Sequence, residues 1–147
     1  MAVFRAEFVL EGFTPRSAES VEALGAMAAG LVQVNLSYLR NHPETPKLYA
    51  LAKQGRVRYQ PEPIGKEEWC NIPQVIKQGW GDCEDLAAFR CAELISRGVL
   101  AVPNISWRAD GPQTIYHVTV LIGIRKQDKN SYIEEDPSKI LGMRGED

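Results

Sequence analysis

The sequence predicts an α+β protein with a helical N-terminal half. Three observations carry that expectation: a helical apolar period across the first half of the chain, a capped helical stretch from Gly79 to Gly98, and a switch to period-two alternation after Gly98. At 147 residues the chain suits one domain spanning residues 1–147.

Taken in order, Ala2 to Leu10 sets Phe4, Ala6, Phe8 and Leu10 against Arg5 and Glu7, the alternation of a strand. Gly12 to Pro15 breaks it. Ser17 or Ser20 can then cap a long helix running to about Arg40, with Val21, Leu24, Met27, Ala28, Leu31, Val34 and Leu39 as its buried side. Gly25 and Gly30 weaken that helix and are expected to mark close packing contacts. Asn41-His42-Pro43 ends it, and His42 reads as a solvated turn histidine. Pro46 to Gln54 reads as a short helix stopped by Gly55, Arg56 to Gln60 as a short strand, and Lys66 to Gln78 as helical in parts around Pro73. Ile105 and Trp107 alternate with Ser106 and Arg108, and Asp110-Gly111-Pro112 is a turn signal. Thr114 to Arg125 reads as a long strand, Lys126 to Asn130 as a charged turn, and Ser131 to Glu135 as the next strand of an antiparallel meander.

Bulk properties exclude several classes. Hydrophobic content of 44% and charged content of 24% are ordinary for a globular chain. A formal net charge of -2 offers no electrostatic case for nucleic acid or an anionic membrane. No apolar run reaches membrane-spanning length, and the first ten residues resemble neither a signal peptide nor an anchor. Cys70, Cys83 and Cys91 are odd in number and lack metal-type spacing, so a reducing, cytoplasmic environment is expected.

The densest chemical signal is Gly79-Trp80-Gly81-Asp82-Cys83-Glu84-Asp85. Leu86, Ala87, Cys91, Leu94 and Ile95 continue it as an apolar helical stripe, and Gly98 sits where a C′ residue belongs. Asp82 suits the N-cap and Asp85 the N3 position, close to a capping box, which places Cys83 in the first turn. A helix N-terminus stabilises a thiolate, so Cys83 is expected to have a lowered pKa, with its own N–H free to meet an oxyanion. Glu84 and Asp85 are expected to face water as partners of the helix dipole.

His117 lies within the long strand. If Lys126 to Lys129 forms a four-residue hairpin loop pairing Arg125 with Asn130, His117 falls opposite Ser138 and Asp136 lies two residues along the same face. A carboxylate there can fix the imidazole's tautomer and orientation. Glu134 shares that face and is the substitute acid. A metal site built on Cys83, His117 and Asp136 lacks a convincing fourth ligand, so no metal or cofactor is expected.

A nucleophilic thiol at a helix start, a histidine on a strand and an acid on the adjacent strand follow Cys-His-acid logic. Gly81-Asp82-Cys83-Glu84-Asp85-Leu86-Ala87, the helix ending at Arg97-Gly98-Val99, the His117-Val118-Thr119-Val120 strand and Asp136-Pro137-Ser138 together resemble the transglutaminase-like branch of the papain-like cysteine-protease superfamily. The resemblance covers roughly Gly79 to Ser138. It implies catalytic Cys83, His117 and Asp136, a core in which the catalytic helix packs on an antiparallel sheet, and thiol-dependent peptidase, amide-transfer or deamidase activity on a protein or peptide. Two departures stand out: Val118 follows the histidine where an aromatic residue is frequent, and the second oxyanion donor is open among Gln78, Gln74, Trp69 and Trp80. As plain structure, Trp69 and Trp80 read as core aromatics. The chain also resembles short proteins of this type encoded by tailed bacteriophages, which implies a host-cytoplasmic or virion setting. The rival class is a non-catalytic binding or assembly module, such as a virion component, for which a buried, inert Cys83 is expected.

Overall fold

The computed structural model describes residues 11–12, 14, 16–63, 67–123 and 131–144. The strand expected over Ala2 to Leu10 and the turn over Lys126 to Asn130 lie outside these. The described chain mixes helix and sheet, with a helical N-terminal half and an antiparallel three-stranded sheet.

Helix α1 spans Ala18–Asn41, and Ser17 caps it by accepting the Ser20 N–H at 3.1 Å. Its buried face is Ser20, Ala28, Val32, Asn35 and Leu36. That face is rotated from the expected stripe, and Val34 is 51% exposed. Nothing lies within 4 Å of a Cβ built at Gly25 or Gly30, so neither glycine is a close contact point. Helix α2 (Leu48–Lys53) and strand β1 (Arg58–Tyr59) follow, then helix α3 (Ile72–Gln78), with Pro73 in its first turn. Asn35 Oδ1 accepts the Ile72 N–H at 2.9 Å and so fastens α3 to α1.

Strand β2 (Trp80–Gly81) pairs in parallel with β1, Arg58 against Trp80 and Tyr59 against Gly81. Helix α4 (Cys83–Ser96) follows directly. Strands β3 (Ala101–Asp110), β4 (Gln113–Gly123) and β5 (Tyr132–Glu135) form the meander in the order β3-β4-β5, and helix α5 (Pro137–Ile140) ends the described fold. The hairpin between β3 and β4 closes at Asp110 opposite Gln113, with Gly111 supplying a φ of 57°.

Eleven of α4's fourteen residues are buried, so it is the central element rather than a one-sided surface helix. One flank, with Cys83, Ala87, Ala88, Cys91, Ala92 and Leu94, packs with Val32 and Leu36 of α1 and with Val118 and Val120 of β4. The other, with Leu86 and Phe89, packs with Leu48, Leu51, Val57, Cys70, Ile72, Val75 and Leu141. The alanines on the first flank keep α4 close to its neighbours.

Candidate functional site

The glycines before Cys83 have structural reasons. Gly79 terminates α3 with a φ of 83°, a left-handed cap. A Cβ at Gly81 would sit 2.9 Å from Leu86 Cδ2, so only glycine lets β2 pass over the first turn of α4. Asp82 then caps α4 in a full capping box, with Asp85 Oδ2 accepting the Asp82 N–H at 3.1 Å. Cys83 occupies N1, as the sequence predicts.

The chemistry around the thiol differs from the expectation in three ways. Cys83 is buried, at 8% exposure. Its pKa is pushed well above the usual thiol range by burial, then by the charges of Glu84 and Asp82, while a hydrogen bond from the Val118 backbone opposes the rise. Desolvation outweighs the helix dipole here. The Cys83 N–H is also occupied: it donates to Asp82 Oδ1 at 2.7 Å rather than facing an oxyanion. Glu84 and Asp85, expected to face water, are buried at 6% and 0% exposure. Glu84 turns inward, and its Oε2 accepts the Cys83 thiol at 3.3 Å.

Among the described residues the β4–β5 ladder pairs Val120 with Glu135 and Gly123 with Tyr132, the register expected; the loop itself lies outside them. Asp136 follows β5 in extended conformation and its Oδ2 lies 2.8 Å from His117 Nε2, but the ladder stops at Glu135 and Ser138 belongs to α5, so the expected pairing of His117 opposite Ser138 is not formed. Asp136 also caps α5, with Oδ1 accepting the Lys139 N–H at 3.3 Å. With Nε2–H donating to the carboxylate, His117 Nδ1 is left as a proton acceptor. Glu134 is exposed, and Asp136 is the acid on the imidazole.

Cys83 meets the same strand from its other side. Val118 and Val120 turn toward α4, as does Glu135, whose Oε1 accepts Arg90 Nε of α4 at 2.7 Å. Alternation therefore puts His117 on the opposite pleat. The structure brings His117 to Asp136 and brings Cys83 to the residue after His117.

The expected oxyanion donors are engaged elsewhere. Gln78 Nε2 donates to the Trp80 carbonyl at 2.8 Å, and Gln74 Nε2 donates to Gln78 Oε1 at 3.4 Å. Trp69 and Trp80 are half-buried rather than core aromatics.

A cluster of acids surrounds the start of α4. Carboxylate oxygens of Glu62, Glu84 and Asp85 lie within 4.8 Å of one another. Burial pushes Glu62 up to about 7 and Asp85 up to about 8, the latter against the backbone N–H bonds from Cys70 and Asp82. Burial and the charges of Asp85 and Asp82 raise Glu84 well above the carboxylate range. Most oxygens are already hydrogen-bonded: Asp85 Oδ1 takes the Cys70 N–H at 2.7 Å, Asp82 Oδ2 the Glu62 N–H at 3.1 Å and Glu62 Oε2 the Glu68 N–H at 2.8 Å. Glu62 Oε1 and Glu84 Oε1 remain without partners, short of the six or more oxygens a hard divalent cation takes. Hydrogen bonds of this cluster fasten Glu62 and Cys70 to the start of α4.

Sequence reasoning missed this cluster and a second one further along α4. There Arg90 bonds Glu135 and lies 3.6 Å from Glu93, the Tyr49 hydroxyl donates to Glu135, and Glu93 Oε2 accepts the Leu48 N–H at 2.8 Å. A signal was present: Leu86, Ala87, Ala88 and Phe89 run unbroken around a full turn, which marks neighbours on more than one side and buries whatever polar residues the helix carries.

No family model, no curated protein and no solved structure matches the chain. Among the described residues no helix is long and apolar enough to cross a membrane.

Proposed function

We propose that the chain is a thiol hydrolase, in the first instance a cysteine peptidase, with a transglutaminase-like, papain-like core in which Cys83, His117 and Asp136 act together. The observation that carries this reading is the His117 Nε2–Asp136 Oδ2 pair at 2.8 Å on a strand whose next residue bonds the thiol at the first position of α4. In the proposed cycle the thiol proton passes to His117 Nδ1, either through one water or after the imidazole turns from its pleat toward α4, and the thiolate forms an S–C bond to an amide carbonyl. The C–N bond breaks as the imidazolium returns the proton to the departing amine. Water then resolves the thioester in a peptidase or deamidase, or an amine does so in a transglutaminase. Asp136 keeps the imidazole in one tautomer and does not enter the bond changes. The substrate is a protein or peptide. The bacteriophage resemblance adds a virion or assembly partner in the host cytoplasm.

One observation favours a second reading, a non-catalytic assembly module that keeps the fold: the thiol is buried, bonded to Glu84 and held protonated. The two readings separate on one experiment. Full-length protein is treated with a peptidyl acyl probe and analysed by intact mass, comparing wild type with Cys83→Ala and His117→Ala. Acylation of wild type at Cys83 that is lost in both variants is the expected result. A wild type left unlabelled, or a His117→Ala variant labelled like wild type, overturns the enzyme reading.

A further inference from the structure

Glu84 is the residue whose placement the acyl-transfer reading leaves unexplained. It follows the thiol in sequence, is buried, and turns inward to accept the thiol proton at 3.3 Å. Its second oxygen, Oε1, is buried without a hydrogen-bond partner. A side chain at N2 of a helix has an easy route to water, and a carboxylate there would gain from the dipole. The thiol is its hydrogen-bond donor.

We propose that Glu84 is a positioning residue that keeps Cys83 a thiol in the resting protein: the two buried acids share one hydrogen bond and carry at most one negative charge between them, so the nucleophile forms only while Glu84 is neutral. This inference rests on the acyl-transfer reading for its purpose, but not for its chemistry. Two acidic groups 3.3 Å apart in a site closed to water cannot both ionise cheaply, because each charge disfavours the other. The surroundings sharpen the exclusion. Asp82 and Asp85 crowd Glu84 from its own helix, and Glu62 approaches from the segment after β1. From β4 come the Val118 hydrogen bond to the sulfur and, on the opposite pleat, His117. Among the described residues no ion pair is formed to Glu62, Glu84 or Asp85.

The test is the pH profile of thiol alkylation, which needs neither substrate nor His117 chemistry. Full-length wild type, Glu84→Gln and Glu84→Met are treated with iodoacetamide from pH 5.5 to 10, and each cysteine is quantified by peptide mass spectrometry. Neither substituted side chain can ionise. The proposal expects the Cys83 midpoint to fall by at least about one pH unit in both variants, hence about ten-fold faster labelling at any pH below the midpoint. Cys70 and Cys91, both buried, should stay as slow as in wild type. They are the internal control for folding: a variant in which all three cysteines label together has opened, and the other variant then decides. An unchanged or raised Cys83 midpoint in a variant whose Cys70 and Cys91 stay protected overturns the proposal. That outcome is independent of the acyl-probe result, so the two ideas fail separately.

Discussion

Helix α4 carries two buried acidic clusters that differ in one respect. At its start Glu62, Glu84 and Asp85 crowd together with no cation among the described residues, two of their oxygens have no hydrogen-bond partner, and burial raises all three acids. Two turns on, Glu93 and Glu135 meet Arg90, the Tyr49 hydroxyl and the Leu48 N–H. Arg90 also lies over the Tyr49 ring, 4.6 Å from its centroid. The second cluster is matched in charge, although Glu93 Oε1 reaches Arg90 only at 3.6 Å and has no hydrogen bond, and it ties α2, α4 and β5 together. The first is frustrated in its polar groups, sits against the thiol, and is where a proton can be moved at small cost. Perturbed, unmatched acids concentrate where a protein does chemistry.

The comparison can be broken in several ways. The largest expected effect is on acyl-probe labelling. Cys83→Ala abolishes it, and His117→Ala lowers it by about 10³-fold or more, since groups acting as a unit show non-additive losses. Asp136→Ala costs less, on the order of 10²-fold, because the acid positions the imidazole without entering the bond changes. Glu134→Ala leaves labelling as in wild type. Equal labelling across these variants would move the chemistry away from the α4 start altogether.

Next in size is the matched cluster. Arg90→Met strands Glu135 and Glu93, and should destabilise by about 2–3 kcal/mol, toward the low end for a buried pair because Arg90 and Glu135 keep some access to water. The check is a urea midpoint at unchanged m-value. A loss no larger than that of an ordinary surface substitution would mean the two clusters do not differ in the way described.

Smaller still is the pH response of the unmatched cluster. Glu62 and Asp85 have folded pKa values raised above those of the unfolded chain, so the folded state holds more protons between pH 4 and about 8. That contribution to stability is fully present below the unfolded carboxylate pKa and is lost as pH rises through about 7 and then about 8. Thermal midpoints should therefore decline from pH 5.5 to 9, and Glu62→Gln should flatten the decline. A flat wild-type profile would show that the cluster reaches water. Smallest is a control far from both clusters: Gly30→Ala, exposed inside α1 with open space for a methyl group, should stabilise by about 0.5–1 kcal/mol.

What the sequence revealed follows from the range of the forces involved. Caps and turns are local, so Ser17, Asp82 with Asp85, and Gly111 are legible from neighbours within a few residues. The β4–β5 register is legible too, because alternation along a strand has a fixed period. The rotation of α1, the pairing of β1 with β2 and the burial of Glu84 depend on which segments cover which faces. Val34 has the spacing of a core residue, but the surface α4 offers is met by Val32 and Leu36 instead. Glu84 has the composition of a solvated first-turn acid; its burial depends on contacts from outside the helix, where the Glu62 and Cys70 N–H groups bond the neighbouring Asp82 and Asp85. The thiol's ionisation was misread for the same reason: the helix dipole is local and visible, whereas desolvation is tertiary and is not.

The two-flanked burial of α4 has a consequence for how the molecule comes apart. One flank contacts Val32 and Leu36, and the other contacts Leu48 and Leu141, so segments far apart in the chain close on a single helix from both sides. Neither hydrophobic cluster can open while the other stays shut without exposing one side of α4. The amides of Leu86 to Leu94 therefore have no partial route to solvent, and their hydrogen exchange should follow the free energy of opening the entire unit. The frayed ends of α1 and α5 should exchange well before them. A fold built around one shared helix melts in a single step.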